Sequence, residues 1–208
     1  MKTLIAIPAM DTVPTQFCSS LATLTKVGDC YVSFNVGSLV YTSRNKLAQT
    51  AIEQETDYIF WLDSDMVFNP DILERMMKTM QENNLDFLSG LYFRRVPPYS
   101  AVLFDKLDIA DGRCEWSNFE EIPTGLFKAG GVGFGCVLMK TDVAFDVFSK
   151  YLDMFGPLAN VGEDLSFCWR ARQCGYDIWV DPSITLGHVG HAIITKEFAE
   201  VYKQNKSK

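Results

Sequence analysis

The sequence has little of what membrane insertion or export requires. No stretch approaches the roughly 18 consecutive apolar residues of a membrane-spanning helix, and the longest apolar run, Ala129 to Met139, is rich in glycine. The apolar start of the chain is interrupted by Pro8 and ends at Asp11, which is too early for a signal peptide. We therefore expect a buried strand over Thr3–Pro8 and a cytoplasmic protein.

Paired cysteines and excess positive charge are also lacking. None of the six cysteines forms a C-x-x-C pair, so we expect free thiols in a reducing compartment. The 19 Lys and Arg are outnumbered by 26 Asp and Glu, which gives a net charge of −7. Such a chain has no general attraction for DNA or anionic membranes. This disfavours a DNA partner without excluding one, and predicts no membrane partner.

The composition is that of a folded domain, with 48% hydrophobic and 22% charged residues in 208. One domain is expected, with a first half over 1–92, a second half over 93–191 and a polar tail over 192–208. The pattern predicts strands at Thr3–Pro8, Cys30–Val36, Tyr58–Leu62 and Asp86–Tyr92, alternating with helices at Pro14–Thr25, at Leu39–Gln54 and after Asn69. This alternation favours a mostly parallel sheet flanked by helices, an α/β fold.

The second half has a less regular pattern. It predicts strands at Ala101–Asp105, Gly125–Lys128, Phe134–Lys140, Asp177–Val180 and Ile184–Leu186, with helices at Asp142–Tyr151 and Glu163–Gln173. Thr141 is placed to cap the first of these helices. Ligands of open α/β sheets bind beyond the carboxyl ends of the strands, so the residues that follow each strand are candidate site residues.

Acidic residues follow the third predicted strand. Asp63 and Asp65 flank Ser64 directly after Tyr58–Leu62. Carboxylates spaced in this way can share a hard divalent cation. A solvated acidic turn that precedes a helix is the alternative.

Two later segments carry further candidates. Glu163 and Asp164 open a predicted helix, where the helix dipole favours a charged carboxylate. His188 and His191, the only two histidines, lie in a glycine-flanked loop, and neutral imidazole is a good ligand for Mn²⁺ or Zn²⁺. Each segment taken alone is compatible with an ordinary structural role.

Taken in order, these segments resemble the GT-A glycosyltransferases, close to the inverting, family-two-like enzymes of bacteria and phages. The resemblance extends from about Thr3 to His191. The matching residues are Ile5–Pro8, Ser43-Arg44-Asn45, Phe60–Met66, Ser89–Tyr92, Gly133–Cys136, Gly162-Glu163-Asp164 and Gly187-His188.

The resemblance implies a nucleotide-sugar-binding half over 1–92 and an acceptor or catalytic half over 93–191, with a role for each matching segment. If a phage encodes such an enzyme, we expect it to act in the host cytoplasm. Asp65 and His188 would bind a divalent metal, Mn²⁺ or Mg²⁺, with Asp63 supporting the metal or facing the ribose. Asp164 would act as the catalytic base and Glu163 would hold the acceptor. Gly131–Gly135 would form the loop beneath the acceptor. The remaining contacts to the nucleotide sugar are assigned to Pro8, Ala9, Asp11, Arg44, Asn45, Ser64, Arg94 and Gly133.

The implied activity is transfer of a sugar from a nucleotide-diphosphate donor, with UDP-sugar favoured, to an acceptor hydroxyl. The acceptor is a glycan, a protein or a hydroxymethylated phage DNA base, which Arg94, Arg95 and Lys128 could help to bind. Two alternatives stay open. One is a metal-dependent hydrolase built from Asp63, Asp65, His188 and His191, and the other is a non-catalytic nucleotide-sugar-binding module of the same fold.

Overall fold

The N-terminal half follows the predicted alternation of strands and helices. A computed structural model describes residues 1–37 and 39–190. The elements of this half are β1 (Lys2–Ala9), α1 (Thr15–Thr23), β2 (Asp29–Val36), α2 (Val40–Glu53), β3 (Tyr58–Leu62), β4 (Met66–Val67), α3 (Ile72–Asn83) and β5 (Phe87–Leu91). Continuous apolar runs such as 58–62 form strands that are buried on both faces, as in parallel sheets.

Shorter strands and two further helices form the second half. They are β6 (Leu103–Phe104), β7 (Lys106–Ala110), β8 (Arg113–Ser117), β9 (Phe127–Ala129), β10 (Gly131–Val132), β11 (Cys136–Lys140), α4 (Thr141–Tyr151), α5 (Glu163–Gln173), β12 (Ile178–Thr185) and β13 (Gly187–His188). Asp111 and Gly112 adopt positive φ between β7 and β8, as a tight hairpin turn requires.

Seven strands form the central sheet, in the order β2-β1-β3-β11-β5-β12-β9. β1 is parallel to β2 and β3, and β12 is parallel to β5. β11 lies antiparallel between β3 and β5, and β9 is antiparallel to β12. The predicted α/β class with a mostly parallel sheet is confirmed.

Helices cover both faces of this sheet, because successive strand residues point in opposite directions. Leu4 and Trp61 pack with α2, α4 and α5 in one apolar cluster. Ile5 and Phe60 pack with α1 and α3 in the other. The methionines of α3 belong to this second cluster. The two clusters hold the carboxyl ends of β1 and β3 side by side.

Several local predictions need correction. Thr141 does not cap α4, because its hydroxyl lies 3.0 Å from that of Thr56 and Lys140 precedes the helix. The two strands expected at 177–186 are one strand, β12, whose register against β5 shifts between Asp181 and Thr185. The strand expected at 101–105 is reduced to β6.

The cysteines form no disulfides in the structure. All six thiols are free, as predicted, but only Cys136 and Cys168 are buried and Cys18 is exposed. The predicted tail at 192–208 and His191 lie outside the described residues. Within the described residues, no helix combines the length and the apolarity needed to cross a bilayer.

Candidate active site

A cleft of about 930 Å³ opens at the carboxyl ends of β1 and β3. Its walls come from segments that are far apart in the sequence, because parallel strands end at the same edge of the sheet. The predicted site residues among those that line it are Pro8, Ala9, Arg44, Asp63, Ser64, Asp65, Glu163 and His188, and Arg95 joins them.

The Asp65 and His188 side chains meet on one wall of this cleft. β4 pairs antiparallel with β13, which places Met66 opposite His188. The backbone N–H of Val189 donates to the carbonyl of Asp65 at 2.8 Å. As a result, Nε2 of His188 lies 3.3 Å from Oδ2 of Asp65.

The other ring nitrogen of His188 fixes the tautomer. Nδ1 lies 2.9 Å from the carbonyl oxygen of Phe93, which can only accept, so Nδ1 carries the hydrogen. A neutral His188 therefore turns the Nε2 lone pair toward Asp65. When His188 is protonated, its Nε2–H can donate to Asp65, and this hydrogen bond raises the pKa of His188 against the effect of burial. Burial alone would raise the pKa of Asp65, but His188 and Arg95 together hold it below its usual value.

These two side chains fit a divalent cation. Ligands about 2.1 Å from one ion at right angles lie about 3 Å apart, close to the observed separation of 3.3 Å. Metal-binding histidines typically donate their second N–H to a carbonyl, as His188 does. No cluster of three or more His, Cys, Asp or Glu suited to a metal occurs in residues 1–37 and 39–190. A site with few protein ligands is compatible with an ion such as Mg²⁺, because this ion commonly takes one or two carboxylates and completes its shell with water and substrate phosphate.

Arg44 joins two other carboxylates that line the cleft. Its Nη2 donates to Asp63 at 2.7 Å and its Nε donates to Glu163 at 3.2 Å. The guanidinium carbon lies 5.7 Å from the Trp61 ring centre and 5.3 Å from that of Phe134. Nη1 of Arg44 is buried without a hydrogen-bond partner among the described residues. Arg44 therefore fixes Asp63 and Glu163 relative to one another.

Asp164 follows Glu163 in the first turn of α5 and is half-buried. Burial and the neighbouring charge of Glu163 raise its pKa to about 6, although the Leu165 N–H and Arg44 act in the opposite direction. Asp164 is not itself among the residues that line the cleft. A carboxyl group with this pKa is mostly ionised at neutral pH and can accept a proton.

Tyr92 is buried next to His188 and to the glycine-rich segment before β11. The Gly135 N–H donates to its hydroxyl at 3.1 Å, and its ring contacts the His188 ring edge-to-face with centroids 5.8 Å apart. A Cβ atom at Gly133 would overlap the Tyr92 hydroxyl. Gly133 is therefore buried beneath Tyr92 and does not line the cleft.

Other predicted contacts also lie away from the cleft lining. Asn45 donates to Asp153 at 2.7 Å and accepts from the Phe155 N–H at 3.1 Å, so it anchors the loop between α4 and α5. Asp11 and Arg94 are exposed and do not line the cleft. Sequence reasoning missed the Arg44 bridge, the Tyr92–Gly135 hydrogen bond and the contact of Arg95 with Asp65. The sequence singles out Arg44, Tyr92 and the pair Arg94-Arg95, but it contains no signal for their partners.

The fold and this cleft define the GT-A class of glycosyltransferases. Residues 29–144 match the family model described as glycosyl transferase family 2. That match spans more than half of the 208 residues, and the chain belongs to this family. The activity class predicted from the resemblance, glycosyl transfer from a nucleotide sugar, is confirmed at this level. The match ends before Glu163, Asp164 and His188, so their roles are proposals.

Two solved structures share the fold. A197 from STIV aligns with a TM-score of 0.64 and 16% identity over 94% of this chain and 97% of that one. GalNAc-T7, whose structure contains UDP, GalNAc and Mn²⁺, aligns with a TM-score of 0.63 and 11% identity over 98% of this chain. This chain spans 47% of that longer protein. At these identities the likeness concerns the fold.

Proposed function

We propose that this protein is a metal-dependent, inverting glycosyltransferase that moves a sugar from a UDP-sugar to an acceptor hydroxyl. The observation that carries the proposal is the 3.3 Å approach of Asp65 to His188 in a cleft that Glu163 also lines. The presence of UDP and Mn²⁺ in the structure of GalNAc-T7 supports this donor and this cation by analogy of fold.

Asp65 and His188 would hold the divalent cation, Mn²⁺ or Mg²⁺. When bound, such a cation neutralises the charge that develops on the departing diphosphate. The hydrogen bond from His188 to the Phe93 carbonyl, at 2.9 Å, keeps Nε2 oriented toward the cleft. Asp63 is held by Arg44 at 2.7 Å, so we assign it to the donor's ribose or to support of the metal site.

Pro8 and Ala9 at the end of β1 would contact the base, and Ser64 would contact the donor between the two acids. Gly37 and Val40 lie on the same wall of the cleft and add apolar surface for the nucleoside. Asp11, Asn45, Arg94 and Gly133 have no position in the cleft lining. A direct contact of these four residues with the donor stays a prediction.

Asp164 would take the proton from the acceptor hydroxyl as that hydroxyl attacks the anomeric carbon. General-base help of this kind contributes roughly 10²–10⁴-fold. Attack in one step from the face opposite the leaving diphosphate inverts the anomeric centre. Glu163, which Arg44 holds at 3.2 Å, would orient the acceptor.

The proposed acceptor is a molecule that carries a free hydroxyl group. A glycan, a protein side chain and a hydroxymethylated DNA base each offer a hydroxyl group of the required kind. The net charge of −7 counts against the DNA acceptor, because it opposes the approach of a polyanion. A cytoplasmic location stays a prediction.

Asp164→Asn separates catalysis from donor binding. It should lower transfer by at least about 100-fold while leaving UDP affinity in the presence of Mn²⁺ within about two-fold of wild type. Radiolabelled sugar transfer measures the first quantity and calorimetry the second. Undiminished transfer by Asp164→Asn would remove Asp164 from the mechanism.

The same assays separate the alternatives. Hydrolysis of phosphoesters without any sugar acceptor would support the metal hydrolase, for which the proposed ligand His191 lies outside the described residues. Binding of UDP-sugar with no turnover on any acceptor would support a binding module.

A further inference from the structure

Arg95 is placed in the cleft by a short, closed loop. Phe93 and Ala101 form an antiparallel bridge, and the Arg94 N–H donates to the Ser100 carbonyl at 2.9 Å. The Tyr99 N–H donates to the Val96 carbonyl at 2.9 Å and closes the tip of the loop. This backbone pairing presents the Arg95 side chain to the cleft, whereas Arg94 does not line it.

The Arg95 guanidinium contacts the carboxylate oxygen that faces His188. Its Nη1 lies 2.5 Å from Oδ2 of Asp65, the same atom that lies 3.3 Å from Nε2 of His188. A divalent cation bound to this oxygen and to Nε2 of His188 would lie beside the Arg95 guanidinium, and the two positive charges would repel each other. Arg95 and the cation therefore compete for one position.

The ion pair is suited to exchange. The Arg95 side chain is 50% exposed and that of Asp65 is 22% exposed, so water can replace the contact, and half-exposed pairs of this kind contribute little net stability. Arg95 lines the same cleft as Asp65 and Ser64. A guanidinium released there remains beside the space that a diphosphate would fill, and its planar donors match phosphate oxygens.

We propose that Arg95 is an exchangeable counterion, which pairs with Asp65 in the donor-free cleft and transfers to the diphosphate of the nucleotide sugar when a divalent cation takes its place. The proposal rests on the proposed function, since it needs the cation at Asp65. Arg95 is then a positioning residue for the donor. It also makes cation and nucleotide bind cooperatively, because each favours the conformation that the other requires.

The exchange predicts effects of opposite sign in a single variant. Arg95→Ala removes the competitor, so the donor-free protein should bind Mn²⁺ about two- to five-fold more tightly. The same variant lacks the released guanidinium, so its affinity for UDP at saturating Mn²⁺ should fall about ten-fold. Free Mn²⁺ measured by electron paramagnetic resonance gives the first affinity, and calorimetry with UDP gives the second. Arg113→Ala, which removes an exposed arginine from β8, is matched in size and charge and should change neither.

Arg95→Lys separates charge from geometry. It should keep the competition with Mn²⁺ but recover only part of the UDP affinity, because an ammonium group lacks the planar fork.

Unchanged or weaker Mn²⁺ binding by donor-free Arg95→Ala overturns the exchange, and a loss of both affinities identifies a structural role instead. If wild-type protein shows no Mn²⁺-dependent UDP binding, the proposed function itself fails. If wild type binds normally and only the Arg95→Ala effect on Mn²⁺ is missing, the exchange alone fails.

Discussion

Asp164 is the residue whose surroundings most clearly oppose its charge. Burial and the carboxylate of Glu163 raise its pKa to about 6, while Arg44 and the Leu165 N–H partly stabilise the ionised form. At neutral pH the folded protein therefore holds a carboxylate that it stabilises less well than water does. Such groups are more frequent at catalytic sites than elsewhere, because a base needs a pKa near the working pH.

The ionisation of Asp164 predicts a pH-dependent stability difference. Because the pKa rises on folding from 3.8 to about 6, the folded state binds the proton more tightly. The contribution of Asp164 to the free energy of unfolding therefore falls as pH increases through this window and stays unfavourable above it. Asp164→Asn should be about 1–3 kcal/mol more stable than wild type at pH 7.5. It should lose this advantage near pH 4.

Urea denaturation at the two pH values measures this difference. Glu120→Gln removes the same charge at an exposed position, and its stability relative to wild type should not change between the two pH values. A lower stability of Asp164→Asn at pH 7.5 would show that burial does not oppose the charge. In the transfer assay, wild-type activity should decline as pH falls through about 6, because a protonated Asp164 accepts no proton.

At the scale of elements, the sequence predicts segments well when a pattern has clear ends. The structure places β3 at Tyr58–Leu62 and α5 at Glu163–Gln173, the bounds that the sequence predicts. β12 differs because its pairing with β5 continues past Asp181 despite a shift in register. Pairing with a neighbouring strand overrode the local break at Pro182, and local pattern contains no information about that neighbour.

In the segment Gly131–Gly135, too, the local sequence pattern contains no information about the residues that pack against it. The resemblance implies a loop beneath the acceptor here, and the structure shows that this backbone is buried. A Cβ atom on Gly133 would overlap the Tyr92 hydroxyl, and one on Gly135 would lie 2.7 Å from Cζ of the Tyr92 ring. Gly133 and Gly135 are needed because Tyr92 packs against this backbone. That requirement depends on a residue some forty positions away, so the pattern alone could not reveal it.

Gly133→Ala should therefore destabilise the protein and disturb the wall of the cleft that carries His188. Overpacking of this kind costs about 1–3 kcal/mol, and a displaced Tyr92 removes its ring contact with His188, at 5.8 Å between centroids. The midpoint of urea denaturation should fall, and Mn²⁺ affinity should fall with it. Gly125→Ala is the matched control, because a Cβ atom there meets nothing within 4 Å. Equal stability of the two variants would contradict the packing argument.

At the scale of the whole molecule, the site depends on strand order more than on any single motif. β11 lies antiparallel between β3 and β5, and Gly135, just before it, accepts a hydrogen bond from the Asp63 N–H at 3.2 Å. The β4–β13 pairing joins the acidic loop to the histidine loop across the chain. The alternating pattern predicts a mostly parallel sheet, but it contains no signal for which strands, here β11 and β9, are reversed. The partners of Arg44 and Arg95 follow from that order and so were not predictable.

Because distant segments meet around the cleft, a ligand that bridges them should stabilise the whole fold. With UDP and Mn²⁺ together at about 100 times the dissociation constant, the gain is about 2.7 kcal/mol. For a chain of this size that corresponds to an increase in Tm of about 5–10 °C. UDP with a chelator should give a much smaller shift, since the proposed cation joins the nucleotide to Asp65 and His188.

Asp65→Asn should lose the Mn²⁺-dependent part of the Tm increase, whereas Glu121→Gln, changed at an exposed position, should retain it. A shift by UDP that is equally large with and without Mn²⁺ in wild type would mean that the nucleotide binds without the cation, and the assignment of Asp65 and His188 as metal ligands would then be wrong.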